Sequence, residues 1–382
     1  MKRGLQLVVG LDWGVIVERN EQVRNSNDMN ELAPIPNGVR STGTRPTRRQ
    51  QLPWVQDEFR ILSIDGGGIR GILPATILDE CERHFLNGQA AGAYFDMIAG
   101  TSTGGIIALG LSRGMRAREI LELYLENGGK IFPAKPHTVK TPWWKRGARI
   151  AKDAHSVRYD PKALQRMLEQ SFGRQIYGDA ERRLVIPTFD ARTKVNVLKT
   201  PHHPDFQRDW QHKMVDVARA TSAAPTYFPP HRIGTQIYAD GGIWANNPVM
   251  LALVDAMTCY ELDRHKVRIL SLGCGSGEIR MTEQQIERGG QWDWRTLTSV
   301  AMELSSQNAD GQAGLLIGRE RMCRLDDPDQ VHPIALDDFV TAKNSLPDVG
   351  RRLFTENKEE LRSFFDQVRP AFEPYYGPRS KK

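Results

Sequence analysis

No apolar run in this chain approaches the roughly 18 residues needed to cross a bilayer as a helix. The N-terminus, MKRGLQLVVGLDWGVIVERNE, starts with two basic residues and an apolar patch. Asp12 and Glu18 interrupt it and no small-residue cleavage site follows, so no signal peptide is expected. Cysteine is scarce: Cys81, Cys259, Cys274 and Cys323 form no C-x-x-C pair and no metal-ligand spacing with histidine. That excludes a disulfide scaffold and gives no support for a metal site. Buried free thiols in a reducing compartment are the simplest account. There is no internal repeat and no low-complexity tract. Charge of one sign is also limited. A formal net charge of +6 over 382 residues leans toward anionic partners such as phospholipid head groups or nucleotides. It is too weak to name one, and a basic surface kept for solubility explains it equally well. No DNA or RNA polymer is expected as a partner.

What is present is enough chain for one large α/β domain, alone or with a smaller lobe. Residues 1–57 are polar, rich in Asn, Arg, Pro and Thr, and lack periodicity, which predicts a mobile arm or a start further on, at Met29. Residues 58–275 alternate strand-like and helix-like segments. A basic insertion, 128–160, interrupts them and leads into a helix near 161–172. Residues 276–382 read as mostly helical and polar, with GLLIGRERMCRLDDP as helix then strand. The alternation predicts a largely parallel sheet with helices on both faces.

The segment FRILSIDGGGIRGILPATILDE, Phe59 to Glu80, reads as a buried strand, a glycine turn and a helix. Glycines beside a helix N-terminus let backbone N–H groups approach negative charge. Gly66, Gly68 and Gly71 also satisfy G-x-G-x-x-G, the dinucleotide fingerprint. That reading needs a second strand ending in an acidic residue, and Asp96 falls before the next strand has ended. A glycine turn that only packs is the plainer alternative.

In YFDMIAGTSTGGIIALGL the run Gly100-Thr101-Ser102-Thr103-Gly104 lies between an apolar strand and an apolar helix. This is G-x-S-x-G in its required context. A sharp strand-to-helix turn strains the serine backbone, so its neighbours must be small. The following helix N-terminus favours a developing alkoxide. Ser102 is therefore the candidate nucleophile.

A nucleophile needs a base, and two arrangements fit. In the order serine, acid, histidine, Asp240 is followed by His265 and His332. His265 lies in the charged stretch DRHKVR and His332 precedes Pro333, settings that suit surface or loop residues. The other arrangement is a dyad in which a carboxylate takes the serine proton. In RIGTQIYADGGIWANNPVM, QIYA reads as a strand with Asp240 at its end, then Gly241-Gly242 and a helix from near Pro248. A turn aspartate bonding its own backbone is the alternative for Asp240.

DGGGIRG, GTSTGG and DGG, in that order over roughly 58–275, resemble the three signatures of the patatin-like phospholipases. The resemblance implies a three-layer α/β/α sandwich with a mainly parallel sheet, and metal-free, cofactor-free hydrolysis of acyl esters of membrane lipids. Carried over, Ser102 is the nucleophile and Asp240 the base. The oxyanion hole falls on Gly66, Gly67 and Gly68, with Arg70 as supporting cation or anchor. Gly71, Gly100, Gly104, Gly241 and Gly242 complete the motifs.

YLENGGKIF, RLVIPTFDARTKVNVLKT and ARATSAAPTYFPPHR further resemble the cyclic-nucleotide-activated phospholipases of antiphage defence. That implies a cyclic dinucleotide activator such as cyclic GMP-AMP, a membrane phospholipid substrate met from the cytoplasm at the inner membrane surface, and a ligand-dependent homo-oligomer. Thr226, Tyr227 and Phe228 are expected either to line an acyl pocket or to pack in the core. In the basic insertion, Trp143, Trp144, Lys145 and Arg146 suit an anionic membrane surface or a stacked nucleotide base. A solvated loop is the plain alternative. Three other functions stay open on sequence alone: a constitutive esterase, a Ser-His-Asp hydrolase, and a nucleotide-binding protein without catalysis.

Overall fold

The backbone of the computed structural model is described for residues 49–133, 157–190, 192, 194–275, 297–327 and 334–381. The chain divides at Arg48/Arg49, and all described residues belong to the second unit. Trp143, Trp144, Lys145, Arg146 and His332 lie outside them.

Among the described residues, eight strands form one sheet: β1 Phe59–Ile64, β2 Met97–Gly100, β3 Arg183–Asp190, β4 Lys194–Lys199, β5 His231–Ile233, β6 Gln236–Asp240, β7 Val267–Leu272 and β8 Met322–Leu325. Followed through hydrogen-bonded neighbours the order is β5-β6-β3-β2-β1-β7-β8, with β4 also on β3. Pairs β1–β2, β1–β7, β2–β3 and β7–β8 are parallel, and β3–β4, β3–β6 and β5–β6 antiparallel.

All six residues of β1 are buried, as expected of a central strand covered on both faces. Its side chains alternate between two apolar layers. Leu62 and Ile64 join the layer of α1 Ile72–Phe85, α2 Thr103–Ser112 and α3 Ala117–Ile131. Phe59 and Ile61 join the layer of the helices Val249–Cys259 and Leu297–Ile317. The same parity holds in β7, where Leu270 and Leu272 face the first layer and Val267 and Ile269 the second. This is the three-layer α/β/α sandwich with a mainly parallel sheet expected above.

One register positions the site. A strand has two edges, and β3 has three partners. β4 runs along Val185–Asp190, so β2, paired at Arg183–Val185, and β6, paired at Thr188–Asp190, share the other edge. β2 runs parallel to β3 and β6 antiparallel, so their C-terminal ends approach each other. Ser102 follows the end of β2, and Asp240 is the last residue of β6.

The helix expected near 161–172 is Lys162–Phe172, and the one expected near Pro248 is Val249–Cys259 with a short turn, Gly242–Ala245, before it. In the C-terminal stretch the helix-then-strand expectation corresponds to Leu297–Ile317 and β8, which extends the sheet beside β7. Of the arm expected over 1–57, residues 49–57 contact the body. Leu52 bridges to Tyr260, and the Trp54 ring packs 4.6 Å from Phe59. Asp96, weighed above as the acidic residue of a dinucleotide site, is buried and accepts from Arg369 Nε and the Arg60 N–H. No described helix is long and apolar enough to cross a membrane.

Candidate active site

Ser102 occupies the turn between β2 and α2 with φ 55° and ψ −119°, a conformation costly for any residue with a Cβ. Three bonds hold it there. Thr101 N–H donates to Ile64 O at 3.2 Å, Thr101 Oγ1 to Ala245 O at 2.7 Å, and Ser102 N–H to Thr221 Oγ1 at 3.0 Å. A side chain on Gly100 would collide with the Gly104 backbone, and one on Gly104 with the Ile64 carbonyl, so the elbow needs both glycines.

Asp240 is 5 % exposed. Its Oδ1 accepts from Gly242 N–H at 2.8 Å, and the carboxylate lines the same cavity as Ser102. Burial pushes its pKa up to about 6, against the pull of the neighbouring Ser102 hydroxyl and of the Gly242 N–H. A carboxylate poised there is ionised at neutral pH yet more basic than one in water.

The glycine loop meets this pair from β1. Gly67 and Gly68 line the same cavity as Ser102 and Asp240. No described group accepts from either N–H. Gly68 has φ +56°, and a Cβ there would strike the Leu336 carbonyl. Gly66, placed with them by motif, differs: its N–H is spent on Asn246 O at 3.0 Å and does not face the cavity. Arg70 donates Nε to Gly67 O at 3.3 Å and a terminal nitrogen to Gly275 O at 3.0 Å, so it braces the loop from behind.

Residues 62–253 match the family described as patatin-like phospholipases. The chain belongs to that family. Among relatives of this patatin-like phospholipase, a protein named cGAMP-activated phospholipase from Vibrio cholerae is 33 % identical over 81 % of this chain and 95 % of its own. One of the same name from Pseudomonas aeruginosa is 31 % identical over 83 % of this chain and 91 % of its own. Patatin-like protein 2 of Arabidopsis thaliana is 32 % identical over 66 % of this chain and 69 % of its own.

The phospholipase cavity measures about 390 Å3. Ile69, Ile106, Ile131, Phe132, Leu164 and Met167 give it an apolar wall, and Thr226, Tyr227 and Phe228 lie along it. Asp337, following the lining residue Leu336, accepts from Arg158 at 2.8 Å and from Tyr159 OH at 2.6 Å, which closes one side. No described histidine lines the cavity. His265 is exposed on a turn before the start of β7, at the end of the parallel strands opposite Ser102.

Four residues of the site escaped the sequence reading. Thr103, after the nucleophile, lines the cavity at the helix N-terminus, where its N–H has no intrahelical acceptor. Thr221 links the elbow to β3. Asn246 lines the cavity beside Asp240. Arg324, on β8, donates to both oxygens of Asp65 at 3.0 and 2.8 Å and so fixes the start of the glycine loop. Thr103 lay inside a motif already read; the other three are recruited from distant segments and carry no local signature.

Among the described residues, His202, Asp255 and Cys259 are the one group with metal-ligand proximity. The Asp255 carboxylate is already shared by Lys199, His202 and Arg49, which makes the group an ion-pair knot between β4, the helix Val249–Cys259 and the Arg49 segment.

Proposed function

We propose that Ser102 and Asp240 form a catalytic dyad that releases fatty acids from membrane phospholipids, and that a cyclic dinucleotide such as cyclic GMP-AMP switches the enzyme on. The observation that carries the dyad is the buried Asp240 carboxylate in one apolar-walled cavity with Ser102, which stands on a strained strand-to-helix turn. Asp240 takes the Ser102 proton as Oγ attacks the ester carbonyl. The N–H groups of Gly67, Gly68 and Thr103 receive the oxyanion. The protonated Asp240 then returns its proton to the departing lysolipid alkoxide, leaving an acyl-Ser102. Water, deprotonated by Asp240, releases the fatty acid and restores Ser102.

The names of the Vibrio cholerae and Pseudomonas aeruginosa relatives support cyclic dinucleotide activation, since the similarity spans nearly their whole length. The substrate brings the enzyme to the inner membrane surface from the cytoplasm, and activator binding is accompanied by self-association. The basic insertion, with Trp143, Trp144, Lys145 and Arg146, serves one of these two anionic partners. Phospholipid hydrolysis assayed with and without a panel of cyclic dinucleotides tests the switch. Activity that rises with one of them, and disappears in Ser102→Ala and Asp240→Asn, is the expected result. Equal activity without nucleotide rejects the switch, and full activity in either variant rejects the dyad. Sedimentation velocity with and without the nucleotide tests self-association.

A further inference from the structure

Asn246 is 5 % exposed and lines the cavity, yet its Oδ1 accepts from no described group. A buried acceptor left open costs about 1–3 kcal/mol, so it needs a reason. Its orientation is set by the partner of its other atom. Ser306 donates its hydroxyl proton to Met302 O at 3.0 Å, so the Ser306 oxygen faces Asn246 Nδ2 at 3.2 Å as an acceptor. Nδ2 is thereby committed to Ser306, and Oδ1 points the other way.

That way leads to the reacting groups. A side-chain carbon built on Gly242 would stand 3.1 Å from Asp240 Oδ1 and 3.4 Å from Asn246 Oδ1. One built on Gly66 would stand 3.3 Å from Ser102 Cβ and 2.5 Å from Asn246 Oδ1. Neither glycine puts a side chain there, so Asp240, Asn246 and Ser102 face one cavity, with the Met302 methyl 3.2 Å from the carbon built on Gly242. Once Ser102 is acylated and has lost its own proton, the two acceptors make a place for a molecule with two protons to give.

We propose that Asn246 Oδ1 is the second acceptor for the hydrolytic water of deacylation. The inference rests on the Ser102–Asp240 dyad proposed above. One water proton points at Asp240 and the other at Asn246, which leaves an oxygen lone pair for the acyl carbonyl of Ser102. As the water oxygen bonds to that carbon, Asp240 takes the first proton. The second stays on oxygen, bonded to the amide, which is too weak a base to remove it. Collapse of the tetrahedral species breaks the carbon–Oγ bond. Asp240 then passes its proton to Ser102, and the fatty acid departs. Acylation has no such water, so it does not need Asn246. The glycerol alcohol has a single proton to give and gains nothing from a second acceptor, so the arrangement favours hydrolysis over return of the acyl chain.

The experiment separates the two half-reactions. Stopped-flow cleavage of p-nitrophenyl butyrate and intact-protein mass spectrometry are run on wild type, Asn246→Ala and Ser306→Ala, under conditions that give wild-type turnover. The expected result for Asn246→Ala is a burst of p-nitrophenolate at close to the wild-type rate. Steady-state turnover falls at least about tenfold, and acyl-Ser102 accumulates. Added hydroxylamine, which brings its own nucleophile, restores turnover. Ser306→Ala, which releases the amide, shows the same pattern more weakly. Burst and turnover falling together mark a merely structural role and overturn the proposal, as does wild-type turnover in Asn246→Ala. Absence of any Ser102-dependent acylation in wild type overturns the dyad itself, a different result from either.

Discussion

Ser102 N–H donates to the Thr221 hydroxyl at 3.0 Å, and that hydroxyl donates to Pro187 O at 2.8 Å. Pro187 lies on β3 between the residues paired with β2 and those paired with β6. One threonine therefore ties the strained nucleophile turn to the backbone at the gap where the two strand ends meet. Thr221→Val keeps the shape and removes both bonds. It is expected to cost about 1–3 kcal/mol in urea denaturation and to slow fluorophosphonate labelling of Ser102. Unchanged stability and labelling would show that packing alone holds the elbow.

Asp240, the proposed base, can take a proton only when ionised. With its pKa raised to about 6, kcat/KM for a neutral ester rises with pH through about 6 and levels off above it. A pH profile on wild type reads this directly. An inflection near the ordinary carboxylate value of about 4 would mean that burial does not tune the group.

The same burial has a stability consequence. The folded chain holds the Asp240 proton up to about pH 6, whereas the unfolded chain releases it near 4. The stabilising effect of that protonation is complete below about pH 4 and is lost as pH rises through about 6. Above that, folding carries the cost of a buried, ionised carboxylate. Asp240→Asn cannot ionise, so it is expected to lose activity and yet to be more stable than wild type at pH 8, by about 2–3 kcal/mol. At pH 4 the difference vanishes. Denaturation at the two pH values checks the sign, and a variant less stable than wild type at pH 8 refutes it.

Arg324 binds Asp65 through two nitrogens and also pairs with Asp310 at 3.0 Å and Asp326 at 2.8 Å. Arg324→Met leaves three carboxylates without their shared cation. The expected loss is about 3–5 kcal/mol, with esterase activity falling because Asp65 precedes the glycines proposed to hold the oxyanion. Lowering the pH toward 5 protonates Asp65, whose pKa burial pushes up to about 7, and recovers part of the stability. A loss equal at pH 5 and pH 8 would assign the effect to packing.

Much of this was legible in the chain because it is written locally. β1 reads as a buried strand since both its faces are covered. The Ser102 elbow reads from small residues at Gly100 and Gly104, where any side chain meets backbone. Asp240 reads from a strand end followed by two glycines. Gly66 shows where such reading stops. Motif membership groups it with Gly67 and Gly68, but its N–H is taken by Asn246, a partner from a distant segment. Thr221 and Arg324 lie beyond local reading for the same reason: their roles are hydrogen bonds to residues far along the chain, and nothing near them in sequence records those bonds.

By itself the sequence determined the local conformations, the strand–turn–helix units, and which side chains are candidates for the chemistry, because these depend on neighbours a few residues apart. The tertiary structure alone decided that Ser102 and Asp240 meet. That follows from β4 occupying one edge of β3, which leaves β2 and β6 to share the other with their C-terminal ends together. It also decided which loop N–H groups stay unspent and which way Asn246 faces, since each depends on a partner that only folding brings near.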